Sequence, residues 1–124
     1  MAQFSVGRLP LLPVFDGGNI WVTNSQDGTI TKLRASDGAV LGTFKAGSNP
    51  FYACFDGQSV WITSFEGQTV TKLRASDGTQ EGTCEVGPAP GGIAFDGANI
   101  WVATSYAVVK LRASDGTVLG RFTV

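Results

Sequence analysis

The heptad Lys-Leu-Arg-Ala-Ser-Asp-Gly occurs three times without change, beginning at Lys32, Lys72 and Lys110. Ahead of each copy stand a Phe-Asp-Gly triplet, led by Phe15, Phe55 and Phe95, and a tryptophan, Trp21, Trp61 and Trp101, each set spaced 40 residues apart. A fixed period of this length decides architecture before any single residue does, because each unit must bury its faces on its neighbours.

Within each period, turn signals cut the chain into four short runs with no helical periodicity. In the middle unit these are Tyr52 to Phe55, Val60 to Thr63, Thr69 to Arg74 and Glu81 to Val86. The runs favour β-branched and aromatic residues, which suit a pleated, half-buried surface. Asp-Gly pairs between them supply the positive backbone angles of hairpin turns, so consecutive runs are expected to pair antiparallel. Four antiparallel strands every 40 residues predict an all-β chain, a β-propeller with three four-stranded blades over 8–47, 48–87 and 88–124. Residues 2–7 repeat the end of a fourth strand: Phe4-Ser5-Val6-Gly7 matches Phe44 to Gly47, and Phe122-Thr123-Val124 covers the same positions. The third unit lacks two residues between its second and third strands, leaving Thr104-Ser105-Tyr106-Ala107.

Three such blades leave two apolar faces in water, and neither end unit has the polar character of a cap. Propellers run from about four blades upward. Head-to-tail association that closes a ring removes both faces. The expected partner is therefore a second copy, a homodimer of six blades, with a homotrimer of nine as the alternative.

The pattern Gly-x-x-Pro-x-x-x-x-Phe-Asp-Gly-x-x-Ile/Val-Trp-Val/Ile stands at Gly7 to Val22, Gly47 to Ile62 and Gly87 to Val102. It resembles the blade repeat of the virginiamycin B (streptogramin) lyase and YVTN/NHL-type propellers, and the resemblance covers nearly the whole chain. Lyase-like members of that superfamily imply metal-assisted elimination through a catalytic histidine. This chain has no histidine, so no catalytic residue carries over. The near-identity of the units implies recent duplication or a designed or consensus repeat.

The absence of histidine also removes any Ser-His-Asp triad, Cys-His pair or imidazole metal site. Asp16, Asp56 and Asp96, with Asp37, Asp77 and Asp115, each precede glycine and are expected to cap their own turns. The oxygen-rich run Asn24 to Gly28 lacks a distal glutamate and is not expected to hold calcium. No cofactor is expected. Lys32, Lys72 and Lys110, with Arg34, Arg74 and Arg112, form basic rows that are expected to be solvated or packed along their stems. With nine basic and ten acidic residues spread evenly, net charge is −1, which offers no footprint for nucleic acid. No apolar run nears the ~18 residues of a membrane helix, and the first residues do not read as a signal peptide, so a soluble chain is expected. Cys54 and Cys84 replace apolar residues of the other units. Their expected strands lie too far apart for a bridge, so reduced thiols are expected.

The expected binding face comprises the connections between fourth and first strands and between second and third strands. Its candidates are Arg8, Asn24, Asp27, Phe51, Tyr52, Phe65, Glu66 and Tyr106. The expected function is a non-enzymatic, self-assembling scaffold or binding module. The rivals are a lyase-like enzyme using a carboxylate such as Glu66, and a lectin-like propeller binding sugars between blades.

Overall fold

A computed structural model of the chain describes residues 6, 7 and 10–123. Among them are twelve strands and no helix. The first sheet holds β1 (Pro10–Phe15), β2 (Asn19–Asn24), β3 (Thr29–Arg34) and β4 (Val40–Lys45). The second holds β5 (Pro50–Phe55), β6 (Ser59–Ser64), β7 (Thr69–Arg74) and β8 (Gln80–Glu85). The third holds β9 (Ile93–Phe95), β10 (Asn99–Ala103), β11 (Ala107–Arg112) and β12 (Val118–Thr123). In every sheet the strands lie in chain order and pair antiparallel. These are three propeller blades.

The turns explain the order. Asp16 Oδ1 accepts the backbone N–H groups of Gly18 and Asn19, and Asp56 and Asp96 make the same pair of bonds. The identical heptads build a second, tighter device. Asp37 Oδ1 accepts the N–H of Ala39 while its Oδ2 meets the Arg34 guanidinium at 3.0 Å. Asp77 and Asp115 repeat both contacts. Each third hairpin carries the same one-residue bulge, after Lys32, Lys72 and Lys110. A bulge bends the strand and sharpens its twist.

The first strands lie innermost, β1 against β5 and β5 against β9. The fourth strands lie outermost and are largely exposed. Between blades run two apolar layers. Trp21 and Ile30 of the first blade meet Val60, Ile62 and Leu73 of the second. Trp61 and Val70 of the second meet Ile100, Val102, Val109 and Leu111 of the third. Phe44 closes the first layer at the rim, its ring lying directly over Gly78. A side chain at Gly78 would collide with that ring, and its φ of 76° already favours glycine. Cys84 lies in the same way over Gly116.

Trp21 and Trp61 are fully buried, and an indole removed from water needs a partner for its N–H. The partner is the turn aspartate five residues earlier: Trp21 Nε1 donates to Asp16 Oδ2 at 2.8 Å, and Trp61 to Asp56 and Trp101 to Asp96 at 2.7 Å. Each aspartate thus does more than cap a turn. Above each indole sits a lysine ammonium: Lys32, Lys72 and Lys110 lie 5.2, 5.1 and 5.2 Å from their ring centroids. The first two continue across the seam. Lys32 Nζ donates to the carbonyls of Ala75 and Ser76, and Lys72 Nζ to those of Ala113 and Ser114. The expectation of packed stems holds, but the heads of Lys32 and Lys72 are not left to solvent. They staple one blade to the next.

Two strand starts differ from expectation. Strand β5 begins two residues before the expected start at Tyr52 and takes in Pro50 and Phe51, because Pro50 already pairs with Ser64 ahead of an irregular step. Likewise Pro10 opens β1 by pairing with Asn24.

The turn carboxyls respond to their partners. Burial pushes the Asp16 carboxyl up, but bonds from Trp21, Gly18 and Asn19 and the charge of Lys32 outweigh it and hold it below its usual range. The Trp101 indole, with the Asn99 and Ala98 amides, holds Asp96 at about 2, against an ordinary 3.8. A carboxyl depressed in the folded state contributes stability above its unfolded pKa and loses that contribution as pH falls through the folded value. Urea midpoints should therefore hold level from neutral pH down to about 4 and drop between there and about 2. A midpoint that already falls well above pH 4, or stays flat to pH 2, contradicts this arrangement.

Candidate functional site

The loops between second and third strands and the entries to the first strands meet at one end of the blades. Phe65 N–H donates to the carbonyl of Asn49, and Ser105 N–H to that of Pro88. In the second and third blades these bonds tie the second-to-third loop to the entry of the same blade, so both sets of connections share one face.

On this face the structure brings three of the candidate residues together. The Phe51 ring lies 5.1 Å from Phe65 and 5.5 Å from Tyr52, the latter nearly edge-on. Phe51 is half-buried, and its carbonyl accepts the Thr23 hydroxyl of the preceding blade, so it also serves the seam. Tyr52 and Phe65 remain exposed at 39% and 38%. Tyr106 is more open, at 72%, and makes no ring contact with the trio among the described residues. It rides the shortened loop of the third blade, which Thr104 closes through bonds to the backbone of Ala107.

Asn24 is buried, as is Ser25 beside it, whereas Gln26 and Asp27 are exposed. The Asn24 amide donates to the hydroxyls of Thr29 and Thr31, and its Oδ1 accepts the N–H of Gly7. It organises the loop. Asp27 and Glu66 are exposed, on opposite sides of a cleft of about 540 Å³ between the first two blades. Ser25, Gln26, Gly47, Ser48 and Asn49 also line that cleft. Arg8 lies outside the described residues. Among those described, no group of three or more His, Cys, Asp or Glu residues comes together. The arrangement offers hydrogen-bond donors and acceptors beside an aromatic ledge, a surface that can hold a partner without acid–base chemistry.

The two cysteines are free thiols. Both pack against the apolar layer between the second and third blades. Burial, with a smaller push from the Asp56 charge, raises the Cys54 thiol to about 12. Burial raises Cys84 as well; Lys72 opposes and Asp115 assists, and its thiol donates to the carbonyl of Gly116 at 3.3 Å. Neither carries the lowered pKa of a reactive thiolate.

No protein-family model matches the chain, and no curated protein sequence matches it. Its fold is that of known propeller-type structures. Hydrazine synthase of Kuenenia stuttgartiensis superposes on 99% of the chain with a TM-score of 0.87 and 19% identity. A functionally unknown protein from Desulfotomaculum acetoxidans superposes on all of it with a TM-score of 0.80, again at 19% identity. The chain spans 38% and 44% of those two chains. At this identity the likeness shows a shared β-propeller fold. No helix among the described residues is long and apolar enough to cross a membrane.

The lysine staple and the Asp–Trp bond were the features least visible to sequence reasoning. The signal existed: a buried indole requires an acceptor, and an aspartate recurs five residues before each tryptophan.

A thiol-specific reagent at pH 8 should leave Cys54 unmodified in the folded protein and label both cysteines once urea unfolds it. Rapid labelling of Cys54 under native conditions would contradict its placement in the seam.

Proposed function

We propose that this chain is a non-enzymatic propeller scaffold that assembles head to tail with copies of itself and presents the loop face to a partner. The observation that carries this reading is the asymmetry of exposure among equivalent residues. Phe15 is 59% exposed, whereas Phe55 and Phe95 are half-buried against the preceding blade. Ile20 and Val22 are half-buried, whereas Val60, Ile62, Ile100 and Val102 are fully buried. At the other end Trp101 is half-buried and Phe122 is 50% exposed, while Trp21 and Trp61 are fully covered. The free face of the first blade thus matches the faces that the second and third blades present inward. The free face of the third matches the faces that the first and second present inward.

Each of these surfaces would lose much of its stabilising burial if left in water, at about 25 cal/mol per Å² of apolar area. A heterologous contact between the two ends repeats a packing the chain already makes twice, and it stops propagating only when a ring closes. Two chains give six blades. The structural likeness to larger propellers supports the arc but says nothing of partners. A face rich in aromatic and amide groups supports a binding role.

Native mass spectrometry or sedimentation of the 124-residue chain tests the reading. The expected mass is twice 13.0 kDa. Three times that value would replace six blades by nine, and a stable monomer at micromolar concentration would overturn self-assembly.

A further inference from the structure

Two internal seams show how one blade grips the next. A lysine lies over its own tryptophan and donates to two successive carbonyls of the next blade's heptad turn. A residue of the fourth strand, Phe44 or Cys84, lies on the glycine that ends that turn. At the first seam the tip of the fourth strand also places a glycine against the last residue of the next blade's second strand. Gly47 does so against Ser64.

At the chain's two free faces each half of this grip is present without the other. On the third blade Lys110 lies 5.2 Å over Trp101, yet among the described residues its ammonium has no carbonyl partner. Phe122, the counterpart of Phe44, is stacked 5.9 Å from Trp101 and half exposed. On the first blade the turn Ala35-Ser36-Asp37-Gly38 has the same sequence as the turns that receive Lys32 and Lys72. Gly38 holds the same φ of 76° as Gly78 and Gly116. Unlike those two glycines, which are buried, Gly38 is only half-buried. Beside it opens a mainly apolar hollow of about 320 Å³ floored by Ile20 and Leu33. The strand-tip position is already filled: Gly7 packs on Asn24, the counterpart of Ser64, and donates its N–H to the Asn24 side chain.

We infer that Lys110 of a second copy donates to the carbonyls of Ala35 and Ser36, as Lys32 and Lys72 donate to the matching turns at the two internal seams. The inference rests on the head-to-tail reading and specifies its chemistry. An ammonium aimed at two carbonyls is directional, so it sets the register of the seam where apolar packing alone would allow sliding. It also distinguishes this contact from a symmetric one, in which two copies would join through the same face and leave both lysines unpaired. The first blade's own Gly7 occupies the site that a preceding strand tip would take, so the face already carries one part of its missing neighbour.

The test compares the dissociation constants of the assembled wild-type chain, Lys110→Met and Lys45→Met, by sedimentation across a dilution series. Lys45 is an exposed lysine of β4 that takes no part in either internal staple. Far-UV circular dichroism checks that each variant folds, and Phe122→Ser probes the same seam from a different residue. Loss of a bond from a charged donor is expected to weaken each seam about tenfold or more, and the two seams of a six-blade ring multiply this to about a hundredfold. Lys110→Met and Phe122→Ser should therefore dissociate at much higher concentration than Lys45→Met, which should match the wild type. If the wild type assembles and all variants dissociate alike, the seam assignment is overturned while assembly stands. If the wild type is monomeric, both fall.

Discussion

A buried tryptophan with a carboxylate at its edge and an ammonium over its face sets the terms for the rest of this structure. The indole of Trp61 supplies bulk to the layer between the second and third blades, and Asp56 satisfies its N–H without water. Lys72 covers the ring and reaches onward to the third blade. The aspartate belongs to the first turn, the tryptophan to the second strand and the lysine to the third. One such cluster therefore locks three parts of a blade together and fastens the blade to its neighbour. The strict repetition of Phe-Asp-Gly, Trp and the Lys-led heptad follows from that geometry.

The fold was legible because the repeat and its turns speak in the same terms. Asp-Gly pairs and short β-branched runs specify hairpins locally, and a period of 40 residues specifies their stacking. Strand starts were less legible. Pro50 and Pro10 look like connection residues, yet each takes a place in a first strand by pairing with the end of the second. The lysines were legible in part. Their pattern suggests a row that is solvated or packed along its stems, and only the position of the next blade shows that the heads of Lys32 and Lys72 have backbone acceptors. Asn24 reads as a polar loop residue for the same reason. Its partners, Thr29, Thr31 and Gly7, become neighbours only in three dimensions.

The loop face divides into residues that build and residues that present. Asn24 and the inner side of Phe51 build, because their polar groups are consumed within and between blades. Tyr52, Phe65 and Tyr106 present aromatic surface, and Asp27 and Glu66 flank a cleft where the copies differ most in sequence. Such an arrangement separates the duties of the repeat. Identical segments hold blades together, and divergent ones line the loop face.

Hydroxyl-radical footprinting at a concentration that permits assembly tests the central claim most directly, because the apolar end faces carry their own reporters. Phe15 and Phe122 are exposed at 59% and 50% on a single chain, and Tyr106, at 72% on the loop between β10 and β11, is the internal reference. If copies close on one another, Phe15 and Phe122 should be protected relative to Tyr106 and become labelled together on dilution. Labelling of both phenylalanines in step with Tyr106 at every concentration would show that the end faces stand open in water.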